Sequence, residues 1–226
     1  MAKGGRRTNM AISGSTVAII GTGTIGGTLA ANFAAGGQDF LLAGRDRDEA
    51  TKVASNLNGH AEAVSIDEAV ERADVLILAV WFDVFKQLIA QYADRLAGKV
   101  IVDPTNAVGP DGAGGYRKTI GERESSGQIL AGLLPAGARL VKAFGTLSAP
   151  SLAAAAWREP ERAVLFYAAD DVAAGDLVAD LIRAGGYEPV PVGGLDQSIR
   201  IEMLGDLHEF GGLGRVVTKQ EALKAI

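Results

Sequence analysis

The most constraining stretch of this chain is Thr16-Val-Ala-Ile-Ile20, followed at once by Gly21-Thr-Gly23-Thr-Ile-Gly26. The first part is a continuous apolar run, the pattern of a strand buried on both faces. The second is a G-x-G-x-x-G turn, after which Ile25, Leu29, Ala30 and Phe33 recur at helical spacings until Gly36-Gly37 end the helix. Strand, glycine turn and helix in that order make the turn a dinucleotide fingerprint. Gly21 permits the tight turn, Gly23 lets the backbone approach a pyrophosphate, and Gly26 lets the helix close on the strand. The helix start offers free N–H groups and a positive dipole end to phosphates.

The pattern repeats. Phe40-Leu-Leu-Ala43 reads as a strand, Asp48–Leu57 as a helix, Ala61–Val64 as a weak strand and Ile66–Arg72 as a short helix. Asp74–Val80 is the strongest strand signal, Asp83 caps a helix running through Tyr92, and Lys99–Asp103 is another strand. Pro104–Gly127 reads as a long loop on the strength of Asp111-Gly112 and Gly114-Gly115, and long loops tend to be functional. Arg139–Phe144 is one more strand. A strand over Ala163–Ala168, a helix over Val172–Ala184, a strand over Glu188–Val192 and a helix from Asp196 to about His208 follow. The fold class is α/β: a Rossmann-type doubly wound parallel sheet over residues 15–150, then a small C-terminal α/β domain over 151–226. Residues 1–14 read as a disordered leader or tag remnant, with Met10 as a natural start.

Composition removes several functions. Cysteine is absent and His60 and His208 are the only histidines, which excludes disulfides, thiolate metal sites and cysteine nucleophiles. No metal site is expected. The 27 acidic against 22 basic side chains give a charge of −5, which argues against nucleic acid. The longest apolar run, Val75–Phe82, falls far short of the ~20 residues of a membrane span. A soluble cytoplasmic protein with no membrane partner is expected. Glycine supplies 30 of the 226 residues, about twice its usual share.

The choice of dinucleotide falls at the end of the second strand, Ala43-Gly44-Arg45-Asp46-Arg47. An acidic residue there accepts from the ribose 2′-OH of NAD. Here Gly44 leaves room for a 2′-phosphate, and Arg45, with Arg47 beside it, can pair with one. NADP is favoured, while Asp46 leaves open a carboxylate facing the ribose. Asp39 lies too early for that role.

Taken in order, the loop, Leu42-Ala-Gly-Arg45, Ala73-Asp-Val-Leu-Ile-Leu-Ala-Val80-Trp81, Val100-Ile-Val-Asp-Pro104, Val141-Lys-Ala-Phe-Gly-Thr-Leu-Ser-Ala149 and Ile199-Arg-Ile-Glu-Met-Leu204 resemble the F-420-dependent NADP oxidoreductase family. The resemblance implies hydride transfer between NADP(H) and a deazaflavin (F-420) co-substrate in a crevice between two domains, and a homodimer. It implies that Thr22, Gly23, Thr24 and Ile25 hold the pyrophosphate, and Gly44 with Arg45 the 2′-phosphate. Ala79, Val80 and Trp81 would line the nicotinamide ribose. Ala143, Phe144 and Gly145 would approach the nicotinamide and the acceptor ring, with Trp81 in the same pocket wall. This chain has Gly44 where the family often has serine, Gly145 where members can carry a histidine, and Trp81-Phe82 where proline and tryptophan are usual. Glu49 stands where a basic residue often follows, a place Arg47 can take.

Direct hydride transfer needs two rings held face to face and no acid or base from the protein, so no catalytic residue is assigned. A carbonyl or imine acceptor would need a proton donor, for which Asp103, Lys142, Tyr116 and His208 are the candidates. Asp103 and Asn106 read either as turn residues or as partners of the nicotinamide ribose. Lys142 reads as a lysine reaching out of an apolar strand end, and His208 as a helix residue packed against a neighbour. Two other functions remain: an NADPH-dependent carbonyl or imine reductase, and a non-catalytic NADP(H)-binding sensor. An iron-reductase domain shares this cofactor fold and requires a membrane anchor.

Overall fold

The apolar run that opens the fold becomes β1 (Val17–Ile20), every residue of which is buried. In the computed structural model, which describes residues 14–226, β1 pairs in parallel with β2 (Phe40–Ala43) on one side and β4 (Val75–Leu78) on the other. β3 (Ala61–Val64) extends the sheet beyond β2, and β5 (Val100–Asp103) then β8 (Arg139–Lys142) extend it beyond β4, all in parallel. β9 (Val164–Ala169) joins β8 antiparallel and β10 (Glu188–Pro191) joins β9 in parallel. The sheet has eight strands in the order β10-β9-β8-β5-β4-β1-β2-β3. The chain moves outward from β1 to β3, then returns to β4, so the order reverses between β1 and β4. A crevice opens at the carboxyl ends of strands at such a point.

Alternate strand residues face opposite sides. Val17 and Ile19 pack with Leu29 and Phe33 of α1 (Thr24–Ala35) and Val178 and Ile182 of α7 (Val172–Ala184). Ala18 and Ile20 pack with Val70 of α3 (Ile66–Arg72), Phe85 and Ile89 of α4 (Phe82–Tyr92), and Leu130 of α5 (Ser126–Leu133). α2 (Arg47–Ser55) lies over β2 and β3. This two-sided burial makes the β1 and β4 sequences read as unbroken apolar runs.

The segment after residue 150, expected as a small unit of its own, adds β9 and β10 to the same sheet. Its own smaller core joins Val164, Phe166 and Val190 to Ile201, Leu207 and Ala222. The expected loop over Pro104–Gly127 holds a hairpin, β6 (Val108–Pro110) with β7 (Tyr116–Lys118), and the start of α5. A further helix, α6 (Ala149–Ala154), packs on α1. The helix expected from Asp196 to His208 is a 3-10 turn at Leu195–Gln197 and the short α8 (Ser198–Ile201), after which Glu202 is extended. Beyond it Gly205 and Gly211 sit where a Cβ would lie 2.4 Å and 1.8 Å from backbone carbonyl oxygens, so the chain folds on itself in tight turns. A capping box starts the last helix, α9 (Lys219–Ala222). Trp81, not Asp83, occupies the cap position of α4, and Asp83 pairs with Lys86 at 2.7 Å in the first turn. The expected leader lies outside the described residues, save Gly14. Among the described residues no helix is long and apolar enough to cross a membrane.

Candidate functional site

At the carboxyl end of β1 the chain turns through Gly21 at φ +122°, where a Cβ would lie 2.2 Å from the Ala79 carbonyl oxygen. A Cβ on Gly26 would lie 1.9 Å from the Gly21 oxygen. Both positions admit only glycine, because α1 and the end of β4 close directly on the loop. Gly23 differs: nothing lies within 4 Å of its Cβ direction. It caps α1 without a side-chain hydrogen bond, and the first turn of α1 carries no acidic residue. The first N–H groups of a helix have no partner inside it, so at Thr24, Ile25 and Gly26 they form a cradle of positive potential. Thr22, Gly23 and Thr24 line an open groove that runs along α1 past Gly27, Thr28, Ala31 and Asn32 to Ala153 of α6. Thr28 and Asn32 were not singled out from the sequence. Their places four and eight positions after Thr24 along one helix face are the signal that could have found them.

At the end of β2 a Cβ on Gly44 would meet the Thr22 side chain at 3.1 Å. Gly44 therefore lets the Thr22 side chain lie against the end of β2. Arg45 is exposed and forms no ion pair among the described residues. Asp46 is committed elsewhere: its Oδ1 accepts from the Asp48 and Glu49 N–H groups at 2.9 and 3.3 Å, capping α2. Arg47 lies 3.9 Å from Glu68, both well exposed. Asp39 pairs with His60 at 2.6 Å near the amino ends of β2 and β3.

The end of β4 carries half-buried Ala79 and Val80, then Trp81, which is 75% exposed. Beyond β5 and β8 the structure departs from expectation. Ala143 is buried. Phe144 is fully buried at φ +64°, which turns its ring into the core edge-on to Phe33, at 6.0 Å between centroids. Gly145 is closed off as well: a Cβ there would lie 2.9 Å from the Pro104 oxygen.

Asp103 and Asn106 are likewise spoken for. Asp103 is buried, with Oδ2 2.8 Å from Lys142 Nζ and Oδ1 accepting from the Thr105 N–H and hydroxyl at 2.7 Å each. Asn106 donates to the Gly145 oxygen at 3.0 Å and accepts from the Met203 N–H at 2.6 Å. Lys142 does not reach solvent. It is buried and donates to Asp103, to the Thr105 carbonyl oxygen and to Ser126 Oγ at 3.0 Å. Glu202 completes the cluster 3.9 Å from Lys142 and caps α5, accepting from Ser125 Oγ and from the Ser126 and Gly127 N–H groups. Burial pushes the Glu202 carboxyl up, but the Lys142 ammonium and those three donors outweigh it and hold it below its ordinary value.

His208 lies in a turn rather than a helix, fully buried. Its Nδ1 accepts from the Phe210 N–H at 2.9 Å, so Nε2 carries the proton and donates to the Gly145 oxygen at 3.1 Å. Burial lowers its pKa to about 4. Glu209 buttresses the start of α6, whose cap is Ser148, accepting from the Ser148 N–H and from the Ser148 and Ser151 hydroxyls. Glu202 and Glu209 reach across 58 or more positions, which local spacing does not reveal. Tyr116, the remaining candidate donor, is exposed on the β6–β7 hairpin.

Residues 16–107 match the family described as NADP oxidoreductase, coenzyme F420-dependent. The F420-dependent NADP reductase of Methanothermobacter thermautotrophicus is 29% identical over 199 residues, covering 83% of this chain and 85% of that protein. The metalloreductase STEAP3 of Rattus norvegicus is 29% identical over 188 residues, but the chain spans only 36% of its length. A crystal structure of a hypothetical protein from Sinorhizobium meliloti superposes with a TM-score of 0.79 at 32% identity, covering 92% of this chain and 97% of that one.

Proposed function

We propose that the reaction of this chain, whose residues 16–107 match the family of coenzyme F420-dependent NADP oxidoreductases, is direct hydride transfer between NADP(H) and a conjugated acceptor of the deazaflavin or flavin type. On this reading the pyrophosphate lies on the Thr22–Gly26 loop, where the uncapped start of α1 supplies N–H donors. Arg45 takes the 2′-phosphate, with Arg47 beside it. Asp46 does not compete for the ribose, because its carboxylate caps α2. Ala79, Val80 and Trp81 flank the nicotinamide end, with the exposed Trp81 ring as a wall for a planar acceptor. The C-terminal segment carrying Met203, Leu204 and Phe210 closes the acceptor crevice. When bound, NADPH supplies the hydride from C4 of its nicotinamide ring and the acceptor ring takes it.

The observation that carries the choice of acceptor is the state of the candidate acids. Asp103, Lys142, Glu202 and His208 are all buried and bonded within the protein, and Tyr116, the one exposed candidate, stands on the β6–β7 hairpin. A carbonyl or imine needs a proton where its negative charge develops. A conjugated ring spreads that charge over its own atoms, and the protein's part reduces to holding two rings in register. The reading includes a cytoplasmic homodimer, carried by the family resemblance.

The test is an acceptor panel with NADPH at saturating protein: an oxidised deazaflavin, a flavin, carbonyls and imines. Turnover confined to the ring acceptors supports the proposal. Turnover confined to carbonyls or imines refutes it, and tight NADPH binding without turnover identifies a sensor.

A further inference from the structure

We infer that Lys142 is a positioning residue for hydride transfer, acting through the Asp103–Ala107 turn, which its buried ammonium holds in one shape. The inference rests on the proposed reaction and adds a residue that never touches either substrate.

The turn lies at the carboxyl end of β5, beside the end of β4 that carries Trp81. From β8, Lys142 grips it at two points, the Asp103 carboxylate and the Thr105 carbonyl oxygen. Asp103 in turn fixes the Thr105 N–H and hydroxyl. Asn106, the next residue, ties the turn to the Gly145 oxygen on one side and to the Met203 N–H on the other. The third donor contact of Lys142, to Ser126, and its proximity to Glu202 link the same ammonium to the start of α5 and the end of α8. One buried charge therefore joins the turn, β8, α5 and the segment carrying Met203 and Leu204.

A network of this kind specifies a single arrangement when every member is satisfied. It lies on the nicotinamide side of the crevice and away from the glycine loop and Arg45. Loosening it shifts the ring end and leaves the phosphate end in place. Hydride transfer is sensitive to such shifts, since a misplacement of about 1 Å costs on the order of a hundredfold in rate.

The variants are Lys142→Met and the double variant Lys142→Met/Asp103→Asn. The double variant removes both charges of the closest pair and leaves Glu202 accepting from the first N–H groups of α5. Melting curves, NADPH dissociation constants, kcat, KM and the temperature dependence of the primary deuterium isotope effect are measured for each and for the wild type. The expected result is a folded double variant with NADPH affinity within about twofold of wild type and kcat lower by about 10- to 100-fold. Its isotope effect becomes more temperature-dependent, a change that lowered stability alone does not produce. Wild-type kcat and isotope effect in a folded variant overturn the proposal, as does a loss of NADPH affinity equal to the loss in kcat. Failure of both variants to fold assigns the ammonium to stability and also overturns it. Wild-type protein that transfers no hydride from NADPH to any ring acceptor sinks the proposed reaction instead, and this inference with it.

Discussion

Replacing Arg45 by alanine isolates the contact on which cofactor choice depends. Arg45 stands exposed in the turn between β2 and α2 and forms no ion pair among the described residues, so its loss changes folding stability by no more than about 0.5 kcal/mol. A guanidinium on a 2′-phosphate is a charge-assisted pair worth about 1.5–3 kcal/mol, which corresponds to about 10- to 150-fold in affinity. Exposure and physiological salt screen it, which sets the expectation near the lower end, about tenfold. NADH lacks the phosphate and changes by about twofold or less. Titrating wild type and Arg45→Ala with each nucleotide, followed by tryptophan fluorescence and repeated at two salt concentrations, measures all four affinities. The wild-type preference for NADPH shrinks as salt rises, and the variant shows little salt dependence. Equal losses for NADPH and NADH would refute the assignment of Arg45 to the phosphate.

Asp46→Ala removes the α2 cap and costs about 1 kcal/mol, read as a lower melting temperature, while the ratio of NADPH to NADH affinity stays unchanged. A selective loss of NADH affinity would instead place Asp46 on the ribose. His208 gives a pH dependence with a definite sign. Its pKa falls to about 4 on folding from an ordinary value of 6.5, so the unfolded chain binds the extra proton in that window. Its contribution is complete above pH 6.5 and is lost as pH falls toward 4, amounting to about 2 kcal/mol between pH 7 and pH 5. Urea unfolding at both pH values shows this loss in wild type and a smaller one in His208→Gln. Parallel losses in the two proteins would remove His208 as the cause.

The half of the fold around the dinucleotide loop was legible because its determinants are local. β2, β3 and α3 fall where expected, since a fully buried apolar strand, a short edge strand and a helix with a Ser65–Glu68 capping box each carry their signal within a few residues. α5 is hard to read because Gly127 and Gly132 weaken its pattern, and beside the local Ser125 cap its first N–H groups are held by Glu202, 75 positions away at Gly127. The expected C-terminal helix is broken by the same carboxylate and by glycines that press backbone against backbone. In the site, the glycine roles follow from contacts between adjacent segments, whereas Phe144 and Gly145 depend on a left-handed turn that no spacing announces. Lys142 stood out as a charge in an apolar strand, but its partners lie 39 and 60 positions from it, so the sequence could not tell a buried ion cluster from a lysine reaching for water.

The central claim is that hydride passes directly from NADPH to a conjugated ring. It is tested by incubating the protein with NADPH deuterated at the transferred C4 position and an oxidised deazaflavin in ordinary water, then weighing the reduced acceptor by mass spectrometry. Direct transfer predicts an acceptor that carries a single deuterium. Reduced acceptor without the label, or no reduction at saturating protein, contradicts the account.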